Sequence, residues 1–373
     1  MRRAVPLKYV LHFLIICVAV CQAPSQERTS TYRIIAYVGG RTDIPHIGAE
    51  KLTHINYAFA QVNDSGEVVL RDPEASTHLN QLTALKTRNP NLKIILSVGG
   101  WGADNFSNAA LSDHSRRRFS QSAAGLLRAY ALDGLDVDWE YPGQPGPGIV
   151  YRSEDKQNFT LLLKTLREEF DAPDTRQARR YALTIASADG EYFHHTEMEK
   201  LHVYLDWINV MTYDFFNSLT ETTGHHTGLF RSQFASDSSR NTQSSVRQHL
   251  AAGIPSEKLV IGAAFYARGW TGVNPANNGI QQGYKRYADA YSYPQLVHEY
   301  IDKRGFQRHW DTSACAPYLW NPDSCMFISY DDPASLKQKA LFVKSQHLGG
   351  MMYWEHSLDP AEELLDTIVA ALR

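Results

Sequence analysis

Eight short runs rich in β-branched and aromatic residues recur along the chain, at positions 33–38, 54–61, 93–98, 134–139, 182–186, 207–213, 259–265 and 349–354. Each is apolar on both faces, and helical patterns fill the intervals. A strand apolar on both faces must be covered on both, which is the condition of a parallel strand under helices in an α/β protein. In the interval 158–170, for example, Leu161, Leu162 and Leu166 are read as one helical stripe. Eight βα units closing on themselves make a TIM (β/α)8 barrel, which needs about 250 residues. The chain has 373, and its seventh and eighth runs begin 90 positions apart, at 259 and 349. An insertion belongs there. The segment at about 266–331 is rich in Tyr, Trp, Gly and Asn, and reads as a small α+β lobe walling one flank of the barrel's loop face.

The first residues follow another pattern. Arg2 and Arg3, the apolar run from Val10 to Val20, then Cys21, Gln22 and Ala23 are the zones of a signal peptide spanning 1–23, leaving 24–373 as one catalytic domain. The apolar run is about half the roughly 20 residues that cross a bilayer, so a secreted, extracellular protein with no membrane attachment is expected. A lipidated Cys21 is the lesser alternative, because Val20 is bulkier than the small residue such a site wants. Removing the leader takes Cys17 and Cys21 and leaves Cys315 and Cys325, expected to pair as a disulfide in an oxidising compartment. Sequons at Asn63, Asn105 and Asn158 fit a glycoprotein. A net charge of -3 argues against nucleic acid as a partner, and the one basic run, Arg116 to Arg118, reads as a solvated helix face.

Chemistry concentrates in Asp133-Gly-Leu-Asp136-Val-Asp138-Trp-Glu140-Tyr141. Period two puts Asp136, Asp138 and Glu140 on one face of the fourth strand, facing the barrel interior, with Glu140 at the carboxyl-end rim where barrel active sites lie. Alternate Cα atoms on a strand are only about 6.6 Å apart, so crowded, desolvated carboxyls should leave at least one protonated near neutral pH. Such an acid is a proton donor. Salt bridges to interior cations, or a hard metal ion held by the acids, are the competing readings. Asp133 is off the parity of the others. His195, Glu199 and His202 could share a helix face, but lack a further ligand, so neither metal nor cofactor is expected. The adjacent His225 and His226 should diverge and belong to a substrate-side loop.

The pattern Asp-x-x-Asp-x-Asp-x-Glu at 133–140 resembles the signature of family 18 glycoside hydrolases, the chitinases. Ser97-Val-Gly-Gly-Trp101, Met211-Thr-Tyr213-Asp214, Phe265-Tyr-Ala-Arg268 and Gly349-Gly-Met-Met-Tyr-Trp354-Glu resemble the same family at four further strand ends, in order. The resemblance implies retaining hydrolysis of β-1,4 N-acetylglucosamine links in chitin or chito-oligosaccharides, with the substrate's 2-acetamido oxygen as nucleophile. It implies Glu140 as acid and base, Asp138 as partner of the acetamido N–H, Asp136 as the group tuning Asp138, and Tyr213 as the holder of the acetamido oxygen. Trp354 would floor the reacting subsite, with Asp214 and Met211 beside it. Tyr37, Phe59, Trp101, Tyr141 and Trp270 would grip sugar rings, Arg268 would touch sugar, and Ser97 and Asp133 would support the carboxylates. A monomer is expected. A lectin of the same fold, or an endo-β-N-acetylglucosaminidase acting on N-glycans, are the alternatives; family lectins typically lose the proton donor, which this chain retains.

Overall fold

A computed structural model describes residues 1, 32–172 and 180–373. Apart from Met1, the expected leader lies outside them. Each of the eight runs forms a strand, and the chain order is β1 (Arg33–Val38), β2 (His54–Val62), β3 (Val68–Val69), β4 (Lys93–Gly99), β5 (Gly134–Asp138), β6 (Ala182–Ser187), β7 (Trp207–Val210) and β8 (Leu259–Ala264). It continues through β9 (Tyr266–Thr271), β10 (Arg286–Ser292), β11 (Gln307–Asp311), β12 (Ala316–Asn321) and β13 (Met326–Ser329), returning at β14 (Gly350–Trp354). Parallel pairing runs β1-β14-β8-β7-β6-β5-β4-β2, and β1 also pairs β2, closing an eight-stranded barrel. The short β3 folds back antiparallel on β2. The insertion between the seventh and eighth barrel strands is a five-stranded antiparallel sheet of order β10-β9-β13-β12-β11.

The helices are α1 (Ala75–Ala84), α2 (Phe106–Ala110), α3 (Asp113–Ala129), α4 (Asp155–Asp171), α5 (Met198–Leu201), α6 (Thr242–Ala251), α7 (Tyr293–Gln295), α8 (Pro333–Ser345) and α9 (Glu363–Leu372). Reciprocal side-chain caps fix where three of them start: Ser112 with Ser115, Asn241 with Ser244, and Asp332 with Ser335, the last followed by Pro333 at the first turn. On β5 the outward Leu135 and Val137 join Phe119, Leu162 and Leu166 in the layer between strands and helices. Trp139 packs there between Phe106 and Phe159, with ring centroids 5.4 Å from each. Burying each such side chain contributes about 1.5–3 kcal/mol. Inside the barrel a smaller cluster holds Ile35, Ile95, Val260 and Met352.

Three expectations change at this level. The stripe of α4 is Phe159, Leu162, Leu163, Leu166 and Phe170, whereas Leu161 is 40% exposed, because one step along a helix turns it about a quarter-circle out of line. Asn158 faces inward and is buried, so its sequon offers no acceptor to a glycan in the folded chain. Asn63 and Asn105 are half-buried, their amides bonded to Glu67 and to Val62 and Asp64.

The expected disulfide is also absent, since Cys315 and Cys325 are both free. Asp311 Oδ1 accepts the N–H groups of Ser313 and Ala314, and Asn321 Oδ1 those of Asp323 and Ser324, folding two successive hairpin turns. Each turn ends on a cysteine with positive φ, 50° at Cys315 and 48° at Cys325. The two therefore flank opposite ends of β12, and six residues of strand separate them by about 20 Å. A disulfide needs Cα atoms within about 7 Å. Alkylation of the unfolded chain without reductant, followed by peptide mapping, should label both residues; a peptide cross-linking Cys315 to Cys325 would contradict the fold of this lobe.

Candidate active site

The alternation along β5 delivers its acids inward, and the neighbouring strands are in register to receive them. Asp136 pairs laterally with Ser97 on β4 and Thr184 on β6. Its Oδ2 accepts hydrogen bonds from Tyr37 Oη and Ser97 Oγ, both at 2.8 Å. Its Oδ1 accepts from Thr184 Oγ1 at 2.6 Å and Asn209 Nδ2 at 3.1 Å. Four strands thus each contribute one donor to a fully buried carboxylate. Burial raises the Asp136 pKa, and these hydrogen bonds oppose the rise.

Asp138 stands one step nearer the rim, buried, and its Oδ1 has no hydrogen-bond partner among the described residues. Burial first, then the charges of Glu140 and Asp136, push its pKa well above the usual range. Glu140 is raised to about 7, chiefly by burial; a hydrogen bond from Tyr141 lowers it and the charge of Asp214 raises it further. A carboxylic acid half-protonated near neutrality at a cavity wall can give a proton and take one back.

Asp133 does not join this group. Its carboxylate accepts the Ile94 N–H at 2.8 Å and lies 2.5 Å from Lys86 Nζ and 3.7 Å from Lys93 Nζ. It sits at the amino end of the strand, about 10 Å of strand below Asp136, and serves as a buried ion-pair anchor there.

Across the cavity, Tyr213 and Asp214 follow β7. The Tyr213 ring lies on Gly262, where an added Cβ would come within 2.7 Å of a ring carbon. Its hydroxyl meets only the Met352 Sδ, at 3.9 Å, among the described residues. Asp214, at φ 57°, is gripped by the Arg268 fork through Nε at 2.8 Å and Nη2 at 2.7 Å. Burial would raise its pKa, but His226 and Arg268 together hold it well below the usual carboxylate range. Arg268 lines the cavity, and its Nη1 donates to Tyr287 Oη at 2.7 Å, so three of its five N–H donors are engaged by protein.

Trp354 ends β14 and stacks on Phe59 with centroids 5.5 Å apart, with Tyr37 at 5.6 Å. Glu140, Asp138, Tyr213, Asp214, Met211, Tyr37, Phe59, Tyr141, Trp101 and Trp354 all line one cavity of about 920 Å³. Trp101 is 61% exposed at its mouth and meets Tyr141 edge-on at 6.1 Å. Among the described residues three peptide bonds are cis, Ala58–Phe59, Glu140–Tyr141 and Trp354–Glu355, and each includes a cavity-lining residue. Trp270 is not among those residues; it is fully buried in the insertion, against Tyr284, Tyr287 and Phe327.

Thr184 and Asn209 are polar residues within apolar barrel strands, a signal that the acidic motif and the strand-end motifs do not include. Tyr266 on β9, Tyr291 on β10, Tyr192 and the ion pair of Asp189 with Arg240 also line the cavity; Tyr266 lies within the Phe265–Arg268 motif, and the others carry no sequence signal. His225 and His226 diverge, His225 Nε2 meeting Asp311 Oδ2 at 3.1 Å and His226 Nδ1 approaching Asp214 Oδ1 to 3.6 Å.

These shifts fix a pH dependence. If Glu140 acts as its protonated form, kcat/KM falls as pH rises through about 7. Tyr141→Phe removes a bond that favours the ionised form and should move that limb upward, whereas Asp214→Asn removes a repelling charge and should move it downward. A limb unmoved by both substitutions would assign it to another group.

The sequence pattern of glycosyl hydrolases family 18 matches residues 28–359. Chitinase A1 of Niallia circulans is 36% identical over 418 aligned residues; the match takes in 94% of this chain and 60% of that protein, so the chain spans less than two thirds of that relative. Chitinase B of Serratia marcescens is 31% identical, over 83% of this chain and 74% of its own. Among solved structures, a family 18 N-acetylglucosaminidase from Paenibacillus barengoltzii has a TM-score of 0.85 and 42% identity, covering 91% of this chain and 100% of that one. With a family pattern spanning most of its length on a barrel of the same architecture, the chain belongs to glycoside hydrolase family 18.

Proposed function

We propose that the protein is a secreted chitinase that cleaves β-1,4 links between N-acetylglucosamine units with retention of configuration. The observation that carries this reading is the pairing of Glu140, its pKa near 7, with an inward Asp138 carboxylate oxygen that no described residue occupies, on a cavity floored by Trp354. Protonated Glu140 gives its proton to the glycosidic oxygen as the bond to the anomeric carbon breaks. The acetamido oxygen of the same sugar attacks that carbon, forming an oxazolinium ion. Asp138, its proton shared with Asp136 behind it, accepts the acetamido N–H and offsets the positive charge, while Tyr213 holds the acetamido oxygen in line. Glu140, now a carboxylate, takes a proton from water, and the hydroxide opens the ring at the anomeric carbon. The second attack restores the original configuration. Trp354 offers a flat apolar face to the sugar ring.

Retention of Glu140 supports turnover over a lectin role, and the long insertion with Tyr141-Pro142 supports chitin over N-glycans. Release of single N-acetylglucosamine units is a second reading, favoured by the Paenibacillus barengoltzii neighbour, which is covered along its whole length. Export rests on the N-terminal pattern, and a monomer without cofactor is part of the same proposal.

Glu140→Gln should bind chito-oligosaccharides much as the unmodified protein does while losing about 10²–10⁴ in turnover. Near-normal release of reducing ends by this variant would reject the assignment. NMR of fresh product should show the β-anomer first, since α-anomer would require inversion by an activated water. Products from defined N-acetylglucosamine oligomers, with an N-glycopeptide as contrast, separate internal cleavage, terminal release and glycan cleavage.

A further inference from the structure

Behind the cavity wall lies an ion pair sealed from water. Lys339 on α8 and Asp331, just before that helix, have side chains 0% and 1% exposed and stand 2.6 Å apart. Replacing a buried ion pair by apolar residues of similar volume is often neutral or stabilising, which turns attention to the geometry this pair fixes. What it fixes converges on one residue. Lys339 Nζ also donates to Thr227 Oγ1 at 2.5 Å, and Asp331 Oδ2 accepts the backbone N–H of Ala264 at the end of β8 at 3.1 Å. The lysine occupies a lone pair of the Thr227 hydroxyl, which directs the hydroxyl proton away from it. The acceptors on that side are the Thr212 carbonyl and Asp331 Oδ2, each at 3.1 Å.

Thr212 precedes Tyr213. Its own hydroxyl donates to Gly262 O at 2.7 Å and accepts the Gly262 N–H at 2.8 Å, so the residue is held by side chain and by carbonyl at once. Tyr213, by contrast, has among the described residues only a sulfur at 3.9 Å from its hydroxyl. Its ring rests on Gly262 and meets Tyr266 edge-on at 6.1 Å, and Thr212 fixes the backbone from which that ring projects.

We infer that the buried Lys339–Asp331 pair, acting through Thr227, is a positioning device for Tyr213 that directs the phenol at the acetamido oxygen of the bound sugar. The inference rests on the reading of the site given above. Thr227, Lys339 and Asp331 are positioning residues, and none of them lines the cavity.

The test uses the full chain, with chitotriose as substrate and the bicyclic thiazoline of N-acetylglucosamine as a stable mimic of the oxazolinium ion. Thr227→Val keeps the shape and removes the hydroxyl. It should lower kcat on the order of 10- to 100-fold with KM within about threefold, and weaken thiazoline binding in step, as misplacement of one positioning group does. Thr227→Ser, which keeps the hydroxyl, should restore both. If Thr227→Val does not fold, the apolar pair Asp331→Leu with Lys339→Met removes the same clamp and should show the same split. The inference is overturned if the folded variant keeps kcat within threefold, if kcat falls while thiazoline affinity does not, or if Thr227→Ser is equally impaired. An unmodified protein that neither cleaves chitotriose nor binds the thiazoline would instead overturn the reading of the site, and this inference with it.

Discussion

A carboxylate buried at the centre of a closed barrel is the constraint around which this molecule is arranged. Asp136 can sit there because four strands each turn one neutral donor toward it, Tyr37, Ser97, Thr184 and Asn209. Those donors replace aliphatic side chains that would otherwise fill the layer, so the interior is polar at that level and apolar below it, where Ile35, Ile95 and Val260 pack. The same bonds make strand register consequential. A slip of β4 or β6 by one residue would turn Ser97 or Thr184 to the helix side and leave a buried charge short of a partner. Chemistry and fold specificity therefore draw on one set of contacts.

From that anchor the acids form a ladder toward solvent, and their environments divide their tasks. Asp136 is surrounded by donors, Asp138 has an oxygen with no partner among the described residues, and Glu140 reaches the rim with its pKa near 7. Asp214, across the cavity from Asp138 and Glu140, is driven the other way by the Arg268 fork and His226. Arg268 stands on β9 and Tyr287 on β10. The insertion thus does more than wall the cleft, since it supplies the cation that lets one acid stay ionised while its neighbours resist ionisation.

Much of this was legible in the sequence because it obeys short-range periodicity. Eight apolar runs mark eight strands, and period two places Asp136, Asp138 and Glu140 on one face. What escaped depends on contacts between residues far apart in the chain. Asp133 shares the signature but belongs to Lys86, 47 positions away and outside any predicted strand. Two cysteines ten positions apart suggested a bridge, yet a strand rather than a loop separates them. Trp270 carries the composition of a sugar platform and lies in the core of the lobe. Lys339, Asp331 and Thr227 look unremarkable in sequence, and only the approach of α8 to the ends of β7 and β8 brings them together.

The barrel's first and eighth strands are hydrogen-bonded neighbours, with Arg33 beside Gly350 and Ala36 beside Tyr353. Trp354, the ring at the bottom of the cleft, is carried by the strand that leaves the ribosome last among the eight. The acids of β5 are translated some two hundred residues earlier and must wait, like-charged and without the aromatic platform, until the ring of strands is shut. The cavity that joins Trp354 to the acids of β5 is complete only when β14 has paired between β1 and β8, so the last barrel strand both closes the ring and finishes the site.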